Sequence, residues 1–422
     1  MCITRHSAEQ GEKMRLKLKP QFAFNILLSA CLGGFLLFFL HSKGDTRREV
    51  GVNPIDTRVA PGLSRPPSTQ RHPLANTSVL KETADAYDIP EIPNMKVKVI
   101  ILTYMRSGSS MTGDVFNHHP EVFYVYEPLW SLQVYFANDN QVFRMSKGPV
   151  QTHQNKFYDP DSVTTGHVKA FLDCDFGSLD PRTLIQYHLK NSLTTSAYHQ
   201  CMTQNSGIVG SIRCLPKMVT PCRKANVTVV KTIRFSMAQA ARLVQLDPTV
   251  KVVHLIRDPR GTLRSQSRVG EFKLKDIVAA SKKLCDRVLN DLKEGEKLKT
   301  LHKGRVLTVR YEDIATEPLK FAQKLLHFAG LNMDKTLRQY VWNITSAGLP
   351  DNCVICTTRN DSKKTALNWR TKMGFQTTKI VDSSCQEVYR RMGYLPLAKR
   401  EELLNLTIPS FVDVSNVPGV WV

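Results

Sequence analysis

From Lys96 onward, short apolar and β-branched runs alternate with stretches whose apolar residues recur at helical spacing. Val97–Tyr104 reads as a buried parallel strand. Met111, Val115 and Phe116 then fall on one helical face, and His119-Pro120 stops that helix. Further along, Asn226–Ile233 reads as a strand, Met237–Leu246 as a helix and Val250–Ile256 as a strand. Phe272, Ile277, Leu284, Val288 and Leu292 form a helical stripe. Arg305–Tyr311 is a further strand, and Pro318–Ala329 a helix with proline at its start. Strands alternating with helices predict an α/β fold: a parallel sheet flanked by helices, with ligands at the carboxyl ends of the strands. Between about Ser131 and Ala225 the pattern is irregular. Residues 146–165 are polar and loop-like, and Asp173–Leu215 carries Cys174, Cys201 and Cys214. This stretch is expected to be a substrate-facing insertion.

Upstream the pattern changes twice. Phe22–Leu40 is almost continuously apolar, long enough at 1.5 Å per residue to span a bilayer core of about 30 Å. A cleaved signal peptide is the rival reading, but its apolar core is usually shorter and ends in a small-residue cleavage site. An uncleaved transmembrane helix is expected, with Arg5, Lys13, Arg15, Lys17 and Lys19 on the cytosolic side. Residues 41–95 are rich in proline and poor in apolar clusters, as suits a stem. The expected organisation is therefore a cytosolic tail (1–21), a membrane anchor (22–40), a lumenal stem (41–95) and a globular domain (96–422).

Two features agree with an oxidising, lumenal side. The triplets at Asn76, Asn226, Asn343, Asn360 and Asn405 are glycosylation acceptors beyond the anchor. Of ten cysteines, Cys2 and Cys31 fall before or inside the anchor, leaving an even number compatible with disulfides. Cys353-x-x-Cys356 lacks a second pair or nearby histidines and suits a structural disulfide element better than zinc. The 422 residues carry 58 Lys+Arg against 37 Asp+Glu, a net charge of +21. That balance calls for an acidic partner, such as a lipid surface or a polyanionic glycan. No basic block or zinc-finger spacing points to nucleic acid.

Two segments carry the chemistry. Arg106-Ser-Gly-Ser-Ser110 joins the first strand to the first helix. Small side chains there let backbone N–H groups approach an anion, the helix N-terminus adds its dipole, and Ser107, Ser109, Ser110 and Arg106 add donors. The turn lacks G-x-x-x-x-G-K-[ST], which disfavours a metal-bound triphosphate. The second segment, Arg257-Asp-Pro-Arg-Gly-Thr-Leu-Arg-Ser265, also follows a strand and gathers three guanidinium groups. Asp258-Pro259 is its helix-start signal.

RSGSS between strand and helix, FYVYEPLW, RDPRGTLRS, VRYEDIATEP, ALNWRTKMGF, Cys385 with Met392-Gly-Tyr394, and the terminal PGVWV together resemble the Golgi carbohydrate 6-O-sulfotransferases. The likeness covers about Lys96 to Val422 and weakens between Ser131 and Ala225. It implies a P-loop-like sulfotransferase fold, a Golgi membrane location with a lumenal catalytic domain, and a glycan acceptor such as chondroitin or keratan sulfate. It also implies the co-substrate 3′-phosphoadenosine 5′-phosphosulfate, without a metal. Tyr104, Met105, Arg106, Ser107, Gly108, Ser109 and Ser110 would hold its 5′ end. Arg257, Asp258, Pro259, Arg260, Gly261, Thr262, Leu263, Arg264 and Ser265 would hold its 3′-phosphate. One departure is Met111-Thr112, where relatives often carry phenylalanine and valine.

Sulfuryl transfer follows the logic of phosphoryl transfer, with positioning and charge stabilisation as the main tasks. Arg106 is placed to absorb charge on the leaving phosphate. Glu127, among Tyr124, Tyr126 and Trp130, is the expected base, its carboxyl raised by an apolar surround. His118 and His119 are alternatives, each also suited to ending the helix, and His254 reads as core. Lys231 and Arg234 point to the same sheet edge, and Trp369-Arg370 reads as either a loop over the nucleotide or core. Two other functions stay open: a metal-independent nucleotide or phosphate transferase, and a non-catalytic glycan-binding membrane protein. Dimerisation through the anchor is a further expectation.

Overall fold

The computed structural model describes residues 95–136, 143–144, 148–149, 160–350 and 357–421. The expected tail, anchor and stem (to residue 94), the acceptor at Asn76, and Cys2, Cys31, Cys353 and Cys356 lie outside these residues. No helix among the described residues is long and apolar enough to cross a membrane.

Five parallel strands form the central sheet: β1 (Val97–Leu102), β2 (Val122–Tyr126), β3 (Val227–Thr232), β4 (Val250–Ile256) and β5 (Val306–Arg310). Their order is β2-β3-β1-β4-β5. Burial on both faces explains the unbroken apolar runs: Val99 and Ile101 pack into one core, Ile100 and Leu102 into the other. β1, β3, β4 and β5 match the expected strands to within a few residues. β2 was not anticipated. It carries the VFYVY run and forms one edge of the sheet, paired to β3 from Val122↔Val227 to Tyr126↔Lys231.

Four helices come after β1, β3 and β4 along the chain and flank the sheet: α1 (Ser109–Asn117), α2 (Met237–Leu246), α3 (Pro259–Arg268) and α4 (Ile277–Leu301). The expected stripe beginning at Phe272 becomes helix only from Ile277, but continues nine residues past Leu292 to Leu301. α2 opens with a reciprocal capping box between Ser236 and Gln239.

The stretch read as irregular is largely helical. Pro160–Leu172, Leu193–Gln204, Gly207–Cys214 and Pro216–Lys224 are helices. Leu193–Gln204 shows little amphipathic contrast: it buries only Thr195 and Tyr198, and the Cys201–Cys214 disulfide supplements this small interface. Cys174–Cys222 and Cys201–Cys214 cross-link this insertion, and Cys285–Cys385 ties α4 to the C-terminal region.

The Arg310–Asp313 run orders a strand-to-helix corner. The fully buried Arg310 donates to Asp313 Oδ1 at 2.5 Å and to the carbonyls of Met392 and Val412 at 3.0 and 2.9 Å. Asp313 Oδ2 accepts from the Trp421 indole at 3.0 Å, which fastens the chain's last turn to the sheet.

Candidate active site

The turn after β1 is built on two residues with left-handed backbone. Arg106 has φ 68° and Gly108, capping α1, has φ 85°. Glycine is required at 108: a Cβ there would lie 2.1 Å from the Tyr311 ring. The backbone thus sits directly on an aromatic floor, and the first N–H groups of α1 open outward without an acidic residue in the first turn.

The second segment meets this turn directly. Arg106 Nε donates to Ser265 Oγ at 3.0 Å, Arg257 Nη1 to the Arg106 carbonyl at 3.1 Å, and Gln266 Nε2 to the Met105 carbonyl at 2.9 Å. β1 and β4 are neighbours in the sheet, so their carboxyl ends place both turns on one edge. Together they open into a cleft of about 780 Å³. Nine lysine and arginine side chains line it against a single carboxylate, Glu127, among the described residues. Burial, then the nearby guanidinium groups of Arg257, Arg359 and Arg268, hold the Arg106 pKa below its usual value. Such crowding of like charge is relieved by a bound polyanion.

Met105, Arg106, Gly108, Ser109 and Ser110 line the cleft from the first segment, and Arg257, Gly261, Arg264 and Ser265 from the second. The other expected contacts do not. Tyr104 is buried, donating to Asp291 at 2.9 Å and sharing a 2.8 Å hydrogen bond with His254. Ser107 is buried, its N–H closing the turn onto the Tyr104 carbonyl. Asp258, Pro259, Arg260, Thr262 and Leu263 are also buried and do not line it. Arg260 is a structural residue: it grips Asp258 at 2.8 Å and Asp382 at 3.3 Å between the rings of Trp369 and Tyr389. Pro259 and the Asp258 side chain start α3, as expected.

Glu127 directly follows β2, with φ 48°, and is 2% exposed. Its surround is not the apolar one expected from the sequence. Oε1 accepts from Lys231 Nζ at 2.7 Å, and Oε2 from Arg234 Nη1 at 2.9 Å. Lys231 also lies 4.2 Å from the Tyr126 ring centroid. A non-glycine residue in this backbone region is uncommon and is a feature of sites where geometry is imposed from outside.

The histidines separate cleanly. His118 caps the end of α1 and stacks on Tyr340 at 3.6 Å, while His119 Nε2 is hydrogen-bonded to the Asn332 carbonyl. Burial, then Lys299 and Arg287, push His254 down to about 3, as suits a neutral core residue. His188, not anticipated, lines the cleft with Tyr187 and Lys190. All three lie in the stretch without readable periodicity, where only their aromatic and basic types were a signal. Trp369 is both core and cleft: 3% exposed, it presents an edge beside Gly261. Arg370 is buried against four backbone carbonyls at 402–408.

The site suits the expected nucleotide on one independent observation. Arg257 Nε is buried without a hydrogen-bond partner among the described residues, although it lies in a polar cleft. A phosphate oxygen would satisfy it. No cluster of three or more His, Cys, Asp or Glu side chains that could hold a metal occurs among the described residues.

The chain is similar to known sulfotransferases. Carbohydrate sulfotransferase 1 of Danio rerio is 25% identical over 357 residues, covering 76% of this chain and 84% of the relative. Human carbohydrate sulfotransferase 6 is 27% identical over 357 residues, covering 74% and 84%. A solved sulfotransferase domain from the olefin synthase of Synechococcus PCC 7002 is 18% identical, with a TM-score of 0.37, over 71% of this chain and 98% of that domain. Residues 98–335, which contain both turns, Glu127 and the whole sheet except its first residue, match the profile of the Sulfotransferase family, and this chain is an enzyme of that family.

Proposed function

We propose that the protein transfers a sulfuryl group from 3′-phosphoadenosine 5′-phosphosulfate to the 6-hydroxyl of a hexose or N-acetylhexosamine in a glycan of the chondroitin or keratan sulfate kind. The observation that carries this is the meeting of two anion-binding turns in one basic cleft that ends at a buried carboxylate. The names of the relatives supply the acceptor class.

In this reading the turn after β1 holds the 5′ end, through the α1 N-terminus, Ser109, Ser110 and Arg106. Arg257 and Ser265 hold the 3′-phosphate. The nucleotide supplies an activated sulfuryl group with a phosphate as leaving group. Arg106 and the backbone N–H groups offset the negative charge that grows on that phosphate. Glu127 takes the proton of the acceptor hydroxyl, and Lys231 and Arg234 hold its carboxylate in place. The pairing makes Glu127 an oriented base, its carboxylate fixed by Lys231 and Arg234.

The reading extends to a single-pass Golgi membrane protein with a lumenal catalytic domain, anchored by residues 22–40 and able to dimerise through the anchor. Three disulfides and the exposed positions of Asn226, Asn360 and Asn405 support that compartment. The test is transfer of radiolabelled sulfate to a panel of desulfated glycans, followed by disaccharide analysis. Label on a 6-hydroxyl is the expected result. Absence of transfer to every glycan, with adenosine 3′,5′-bisphosphate still bound, removes the carbohydrate assignment.

A further inference from the structure

The wall of the cleft beyond Glu127 is made by Trp130 and the disulfide-linked insertion, and it differs in chemistry from the rest. Trp130 and Tyr187 are exposed there by 37% and 60%. His188 lies between them and the base, 5.3 Å from the Trp130 ring and 5.8 Å from the Tyr126 ring. Its Nδ1 has no hydrogen-bond partner among the described residues. Burial is the main reason that its pKa falls below the usual value, so the ring is neutral at pH 7. Lys190 is exposed and sits 3.6 Å above the Tyr187 ring centroid, so its ammonium is held by an aromatic face and the Tyr187 hydroxyl.

This wall is also fixed in place. Residues 187–191 form one 3₁₀ turn clamped to β2 and the residues that follow it. Gln186 Nε2 donates to the Pro128 carbonyl at 2.9 Å, and the Tyr126 N–H donates to Ser192 Oγ at 2.9 Å. Thr194 Oγ1 both accepts from the Tyr124 N–H at 3.1 Å and donates to its carbonyl at 2.7 Å. The edge strand, unpaired on this side by any other strand of the described residues, is thereby tied to the insertion. A geometry preset in this way lowers the entropy cost of binding.

Aromatic faces accept the apolar face of a pyranose, a neutral imidazole exchanges hydrogen bonds with hydroxyl or amide groups, and an ammonium recognises an anion. We infer that Trp130, Tyr187, His188 and Lys190 form the acceptor subsite, which takes a sugar next to one that already bears a sulfate or carboxylate group. Lys190 reads that neighbouring anion, while Trp130 and His188 seat the ring that presents its hydroxyl to Glu127. The inference rests on the sulfotransferase reading of the same cleft.

The experiment measures equilibrium binding of a keratan sulfate hexasaccharide and its desulfated counterpart to the whole protein with adenosine 3′,5′-bisphosphate present. Lys190→Ala is expected to weaken the sulfated hexasaccharide about tenfold, the size of one charge-assisted hydrogen bond, and to leave the desulfated one unchanged. Lys190→Arg restores binding to within about twofold, and His188→Ala weakens both hexasaccharides. Bisphosphate affinity is the same in all variants. Equal losses for the two hexasaccharides on Lys190→Ala, or no binding of either by a wild-type protein that binds bisphosphate, overturns the subsite. Failure of the wild-type protein to bind bisphosphate overturns the donor reading instead.

Discussion

Glu127→Gln separates a chemical role from a structural one. The substitution keeps the side chain's shape and one acceptor oxygen, but removes the charge that faces Lys231 and Arg234. Lys231 is 2% exposed, so its ammonium is left in a poorly solvated place, whereas Arg234 is 21% exposed and can turn to water. Breaking one side of a buried pair costs about 3–5 kcal/mol. The amide oxygen retains part of the contact, which puts the expected loss near the lower figure. For a domain of this size about 3 kcal/mol lowers Tm by roughly 4–5 °C. Removing a general base costs roughly 10²- to 10⁴-fold in turnover. The assay pairs thermal unfolding with steady-state sulfate transfer measured well below the variant's Tm. A double variant, Glu127→Gln with Lys231→Met, removes the stranded ammonium and is expected to recover at least half of the lost Tm while turnover stays low. If Glu127→Gln loses stability but keeps kcat within about threefold, the carboxylate only braces the sheet edge and the base lies elsewhere.

Three further outcomes are expected. Gly108→Ala forces a left-handed alanine against the Tyr311 ring, at about 1–2 kcal/mol for the backbone and about 1–3 for the overlap; calorimetry should show bisphosphate affinity falling more than about tenfold, and an unchanged affinity contradicts the role of the turn. Arg257→Ala removes a charged donor and should weaken bisphosphate by about 10- to 100-fold; equal affinity refutes the 3′-phosphate assignment. Glu312 accepts from the Asp258 N–H at 3.1 Å and the Tyr394 hydroxyl at 2.9 Å. Burial first, then the Asp258 carboxylate, push it up from 4.5 to about 7. Between those values the folded chain keeps a proton that the unfolded chain has released, so this group's contribution to stability falls as pH rises. Comparing Tm for the wild type and Glu312→Gln from pH 5 to 7.5 should show that slope only in the wild type, and parallel profiles dismiss it.

How far the sequence could be read depended on which physical signal each region carried. β1, β3, β4 and β5 were legible because strands buried on both faces cannot hide their apolar runs. β2 was quoted as part of a motif but not seen as a strand, because its aromatic residues were read as the surround of Glu127. The insertion was misread for a different reason: its helices are short, and Leu193–Gln204, held by Cys201–Cys214, carries no strong apolar stripe. At the site, residue type revealed the two turns, but direction did not follow from it. Arg257 and Arg260 stand three apart in the same motif, yet one reaches the cleft and the other is buried against Asp258 and Asp382. The surround of Glu127 was misjudged likewise, because Lys231 and Arg234 come from a strand over a hundred residues away.

The strand order assigns labour across the sheet. β4 and β5 carry the basic motif and its aromatic floor, while β2 and β3 carry Glu127 and its cationic holders, with the Arg106 turn of β1 at the frontier. Each flank is stabilised by its own partners: Arg260 and Arg310 networks on one side, a cross-linked helical appendage on the other. Under the proposed function, such a partition lets the appendage diverge toward new sugars while the proposed nucleotide pocket stays as it is. A whole set of acceptor preferences can therefore be explored on one unchanged engine, by exchange of a single stapled module.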